Sequence, residues 1–119
     1  MKHTEPVRKN RCFRRIYNKG ASIANRLLVM VTLARNDDTN RLGVSVGKKV
    51  GNAVVRNKVK RRIKESYRGL EHRVKRGRDV VIIARGPCRD ATYWEIDEAV
   101  VRLLGKHGLL CREEPPGAT

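Results

Sequence analysis

The sequence predicts one α+β domain, an α-β sandwich in which three helices pack on a small sheet in the order α-β-β-β-α-β-α. Three observations lead there. Apolar residues recur at helical spacing in segments near residues 10–19, 53–69 and 92–107. Between these segments lie short β-branched runs: LLVMVTLA at 27–34, LGVSV at 42–46 and DVVIIA at 79–84. A length of 119 residues, 39% of them hydrophobic, suits a single modest core. The domain is expected to span residues 1–112, with 113–119 (EEPPGAT) as a disordered tail.

Taken in order, Asn10 is the expected N-cap of a first helix that ends before Gly20, with Phe13, Ile16 and Tyr17 on one face. The run 27–34 reads as a strand, RNDDTN at 35–40 as a turn, and Leu42, Val44 and Val46 alternate with small residues in a second strand. Two strands joined by turn chemistry are expected to pair as an antiparallel hairpin. The central helix follows Asn52, its expected N-cap, and runs over about residues 53–69. DVVIIA is apolar without alternation, the pattern of a strand covered on both faces. Thr92 and Glu95 form a capping-box pair ahead of a last helix. Its stripe of Ile96, Val100, Leu103 and Leu104 ends at Gly108.

Charge narrows the function. Lys and Arg number 28 against 12 for Asp and Glu, a net charge of +16, which fits a nucleic-acid partner before any other. No run approaches the roughly 18 apolar residues of a membrane-spanning helix. The opening MKHTEPVRKN lacks the apolar centre of a secretory signal. Cys12, Cys88 and Cys111 are widely spaced and form no CxxC, so reduced thiols in a cytoplasmic protein are expected, with neither disulfide nor zinc site. His3, His72 and His107 are scattered without neighbouring ligand residues. The adjacent Asp37 and Asp38 lie in turn sequence. No catalytic or metal-binding set is therefore expected in this chain.

The informative stretch is GKKVGNAVVRNKVKRRIKES, residues 47–66. Successive residues about 100° apart place Val55, Val59, Ile63, Ser66 and Leu70 on one arc, which must face the sheet. Arg56, Lys60 and Lys64 form one flanking row; Asn57, Arg61 and Arg68 form the next. An ordinary solvated face mixes signs, because like charges four apart cost a few tenths of a kcal/mol each, about 0.2–0.5. This strip contains no acid, so it reads as an anion-binding surface. Lys48 and Lys49 precede a helix N-terminus at Asn52, where free backbone N–H groups favour phosphate. The glycine spacing and GK[ST] ending of a nucleotide-hydrolysing loop are absent.

These residues resemble the bacterial ribonuclease P protein component. The resemblance is carried by Arg41-Leu42-Gly43-Val44-Ser45-Val46, Lys48-Lys49-Val50-Gly51-Asn52-Ala53-Val54, Arg56-Asn57 and Lys60-Arg61. Asn10, Phe13, Tyr17 and Gly20 resemble the family's first helix, and Ala24-Asn25-Arg26 its following loop. The segments DVVIIAR and Thr92-Tyr93-x-Glu95 resemble its last strand and helix.

The resemblance implies a protein subunit bound to a catalytic RNA that removes the 5′ leader of precursor tRNA, with Mg2+ held mainly by the RNA. It places Lys48, Lys49, Arg56, Asn57, Lys60, Arg61 and Lys64 on the RNA-facing surface, joined in our reading by Asn52 and Arg68. It also implies a left-handed β-α-β crossover, where chirality alone predicts a right-handed one. A leader-binding cleft is implied at Phe13 and Tyr17, with Val31 in the place of a third aromatic found in some relatives. The two aromatics read equally well as core residues of an amphipathic helix. No obligate protein partner is expected. Two competing readings are a ribosome-associated RNA-binding protein and a lipid-bound basic helix; the second lacks Trp, Phe or Leu anchors on its apolar arc.

Overall fold

The apolar run that ends in Ala84 forms the central strand of a five-stranded sheet. The computed structural model describes residues 1–111. Its elements are β1 (Thr4–Pro6), α1 (Asn10–Lys19), β2 (Ala21–Ala24), β3 (Leu28–Ala34), β4 (Asn40–Val46), α2 (Ala53–Leu70), β5 (Arg78–Ala84) and α3 (Tyr93–Lys106). The sheet order is β1-β4-β5-β3-β2. The three helices, and the three strands between α1 and α2, match the expected architecture; the three-residue β1 at the edge is additional.

The expected hairpin does not form. β3 pairs antiparallel with β5, from Leu28 opposite Ala84 to Ala34 opposite Arg78. β4 pairs parallel with β5, from Arg41 opposite Asp79 to Val46 opposite Ala84. Thus β5 inserts between the two strands that the turn connects. The cause lies in β5, whose two apolar faces demand cover on both sides and a central position. Its Val80 and Ile82 enter one core and Val81 the other, all at 0% exposure. The connection over residues 35–39 therefore bridges two strand spacings, about 10 Å. Asp37 shapes it by accepting from the Thr39 amide at 3.0 Å and hydroxyl at 2.8 Å. Gly77 packs against it at φ +80°, where a Cβ would lie 2.6 Å from the Asp37 carbonyl oxygen.

Two cores result. Helices α2 and α3 cover one face, with Met30, Leu42, Ile63, Tyr67, Ile82 and Leu103 among the buried residues. Helix α1 covers part of the other, burying its Ile16 against Val7, Val31 and Val81. The apolar arc of α2 behaves as expected at Val59, Ile63 and Ser66, but Tyr67 is also fully buried, its hydroxyl 3.3 Å from that of Thr4. Ser66 donates to Asp97 Oδ1 at 2.7 Å, tying α2 to α3.

The caps follow the sequence at two of three helices. Asn52 accepts from the Val55 amide at 3.0 Å, and Thr92 and Glu95 complete their capping box. Asn10, however, is the first residue of α1, and the N-cap is Lys9, which offers no acceptor. The proposed tail at residues 113–119 lies outside the described residues.

Candidate nucleic-acid interface

Helix α2 presents its strip because its opposite side is fixed by packing. With Val59 and Ile63 buried at 2% and 0% exposure, the side chains of Asn57, Lys60, Arg61, Lys64 and Arg68 are forced outward. Lys48, Lys49 and Asn52 are exposed at the approach to the helix. Arg56 differs: it is half-buried, and with Val46, Ala53, Asn57 and Lys60 it lines a pocket of about 250 Å³. Its Nε is buried without a hydrogen-bond partner among the described residues, a desolvated donor within the strip's own residue set. Arg68 also departs from the rest, since Glu65 lies 3.4 Å from it as an exposed i,i+3 pair. Such a pair contributes at most about 1 kcal/mol, so Arg68 remains available to a stronger anion. Arg62, by contrast, is structural and donates to the Ala91 carbonyl at 2.9 Å.

A second surface lies on the other face of the sheet. Phe13 is half-buried and Tyr17 is 41% exposed, their ring centroids 6.2 Å apart. Together with Asn10, Arg14, Val44 and Ser45 they line a groove of about 490 Å³. Burial pushes the Tyr17 phenol up, and a hydrogen bond with the Ser45 side chain opposes that shift. The groove has room because β4 turns the small Gly43 and Ser45 toward α1, so that the Phe13 ring seats against Gly43 and Ser45 leaves open space beside it. That alternation of small residues was the available sequence signal for Ser45, which sequence reasoning missed along with Asn10 and Arg14.

Val31 does not belong to the groove. It is 4% exposed and packs in the core beneath α1 with Ile16 and Val81. Gly20 closes over it so tightly that a Cβ there would lie 2.8 Å from Val31 Cγ1. A small β-branched side chain at this register is covered by the helix rather than offered to a ligand.

Asn25, in the loop that follows β2, is also structural. Its Oδ1 accepts from the Leu27 and Leu28 amides at 3.2 and 2.9 Å, and its Nδ2 donates to the Ala99 carbonyl at 3.2 Å. Beside the N-terminal half of α1, the buried Asp79 receives Arg41 at 2.7 and 2.9 Å and Arg35 at 3.0 Å. Burial pushes the Asp79 carboxyl up, but the hydrogen bonds from the two arginines outweigh it and hold it below the ordinary carboxylate value.

A strip of amide and cationic donors on one helix and an aromatic groove on the opposite sheet face can be compared with known proteins. The Ribonuclease P family model matches residues 1–108. This chain belongs to the ribonuclease P protein family. Within the family it is 46% identical over 110 residues to the ribonuclease P protein component of Alkaliphilus metalliredigens, covering 92% of this chain and 99% of that one. It is 52% identical over 104 residues to the component of Clostridium botulinum strain 657, covering 87% and 94%. The RNase P protein of Staphylococcus aureus superposes with a TM-score of 0.81 at 40% identity, covering 88% of this chain and 96% of that one. That of Thermotoga maritima gives 0.79 at 31% identity, covering 86% and 96%. Ribonuclease P proteins are subunits of an endoribonuclease of tRNA processing, so the relevant partner is an RNA.

Proposed function

We propose that this chain binds the catalytic RNA of ribonuclease P through α2 and the single-stranded 5′ leader of precursor tRNA through the groove beside α1. In doing so it assists the endonucleolytic hydrolysis that leaves the mature tRNA 5′ end. The observation that carries this reading is the placement of two chemically different surfaces on opposite faces of one sheet. The α2 strip offers point charges, guanidinium forks and an amide, the groups that grip backbone phosphate. A phosphate oxygen at Arg56 would also give its buried Nε an acceptor. Phe13 and Tyr17 offer ring faces, on which bases of any sequence can stack.

The active site belongs to the RNA partner. Among the described residues no three His, Cys, Asp or Glu side chains converge as a metal site. The buried Asp79 and its neighbour Asp37 are both engaged by arginine. Among the described residues this donor set does not fit a resident Mg2+, which is consistent with the proposed reading that RNA holds most of the Mg2+ of the reaction. The chain's contribution is to hold the leader at a fixed distance from that RNA and to reduce phosphate repulsion between the two. Among the described residues no helix is long and apolar enough to cross a membrane. Free Cys12, Cys88 and Cys111 fit a reducing, cytoplasmic setting.

Reconstitution with the cognate catalytic RNA tests the proposal. Cleavage of precursor tRNA at low Mg2+ should require both components, and the protein by itself should cleave nothing. An RNA-only rate that stays the same on adding protein contradicts it.

A further inference from the structure

Helix α1 has a second side. Asn10, Arg14 and Tyr17 border the aromatic groove, while Arg11, Cys12 and Arg15 point to the opposite flank of the helix. There, Arg8, Lys9, Arg11, Cys12 and Arg41, with Glu5 and Pro6, enclose a basin of about 570 Å³. A smaller basin of about 270 Å³ adjoins it through Arg41 and includes Arg15, Arg35, Asp37 and Asp79.

The charges in the two basins behave differently. Arg35 and Arg41 are locked onto Asp37 and Asp79, which neutralise them and make a rigid floor. Arg8, Lys9, Arg11 and Arg15 are exposed and have no ion-pair partner among the described residues. Four free cations therefore stand against the lone Glu5. The segment that carries them is anchored. Glu71 accepts from the Lys2 and His3 amides at 2.9 and 3.3 Å, and the Val7 amide donates to the Leu42 carbonyl at 3.0 Å.

We infer that this outer flank of α1 is a second contact surface for the catalytic RNA, holding the backbone of a paired segment. The inference rests on the function proposed above. A polyanion is required by the charge. No aromatic ring lines either basin, so the flank lacks the ring platform that the groove offers to unpaired bases, while its exposed cations suit RNA whose bases are already paired and which is held through its phosphates and 2′-hydroxyls. Topology selects the catalytic RNA over the precursor. β1 and β4 form one edge of the sheet, α2 packs on β4 from the opposite face, and Arg8 and Lys9 follow β1 after the single residue Val7. An RNA lying on the α2 strip reaches this flank by turning around that edge of a molecule whose shortest principal extent is 23 Å.

The test is the salt dependence of catalytic-RNA binding by Arg8→Ala/Arg11→Ala full-length protein, with Arg61→Ala as reference. Loss of two duplex phosphate contacts should reduce the slope of log affinity against log salt by about 1.8, two contacts at about 0.9 each. The assembled holoenzyme's ratio of precursor to mature tRNA affinity should not change. Both residues are exposed, so the melting temperature should hold; Arg8→Gln/Arg11→Gln repeats the test with longer side chains. An unchanged slope in both double variants, while Arg61→Ala reduces it, overturns this inference and leaves the α2 reading intact. A loss confined to precursor binding overturns it as well. If Arg61→Ala also has no effect, the α2 reading fails separately.

Discussion

The ring of Phe13 lies directly over Gly43 of β4, so close that a Cβ at residue 43 would come within 2.6 Å of Cε1 and 2.9 Å of Cζ. The strand thus holds the aromatic at the floor of the groove by omitting a side chain. Gly43→Ala should drive the ring from its seat and cost about 1–3 kcal/mol of stability, the usual range for overpacking. Precursor tRNA affinity should fall, while binding of the catalytic RNA, measured below the melting transition, should hold. Equal precursor affinity in the alanine variant would detach the groove from leader binding.

Asp79 supplies a pH-dependent part of the stability. Its carboxyl is held below its ordinary value when folded, so its contribution is complete above the unfolded value near ~3.9 and is lost as pH falls through the folded value. Asp79→Asn should cost about 3 kcal/mol at neutral pH, toward the lower end for breaking a buried ion pair. The lower end applies because the side chains of Arg35 and Arg41 remain 17% and 23% exposed. Melting temperature followed from pH 7 to 2 should fall less steeply in the variant than in the parent below pH 4. Parallel curves would assign the acid sensitivity to other carboxylates.

Neighbouring positions on α2 should separate binding from folding. Arg61 is exposed and Ile63 fully buried. Arg61→Ala should weaken catalytic-RNA binding by about 1.5–3 kcal/mol, the range for a charged hydrogen bond, with little change in melting temperature. Ile63→Ala should instead remove about 2–5 kcal/mol of stability. Calorimetry and RNA titration on the same samples check both; exchanged phenotypes would mean that the helix is rotated about its axis.

The periodic and capped parts of this fold were legible in the sequence. Asn52, Thr92 and Glu95 act as read, and Val59, Ile63 and Ser66 face inward as their spacing requires. Pairing was legible only in part. The run DVVIIA announced a strand covered on both faces, but the turn at 35–40 suggested a hairpin, and nothing local shows that a strand nearly 40 residues later will separate its arms. β1 left no pattern, being three residues with a proline at a sheet edge. The α2 strip could be read because helical periodicity fixes every side chain at once. The groove could not, because its limits depend on which strand face α1 leaves open. Val31 and Ser45 lie on the same face with β5 between their strands, yet only Ser45 lines the groove.

The central claim is that the aromatic groove holds the precursor leader while α2 holds the catalytic RNA. Its most direct test is the ratio of precursor to mature tRNA affinity in reconstituted holoenzyme carrying Phe13→Leu, which keeps apolar bulk but removes the ring. Stacking contributes roughly 1–3 kcal/mol per base, so precursor affinity should fall by about fivefold or more at the lower part of that range. Mature tRNA affinity and the salt slope of catalytic-RNA binding should stay at parental values. A parental precursor-to-mature ratio in a folded Phe13→Leu protein would contradict the account and leave Phe13 as a packing residue over Gly43.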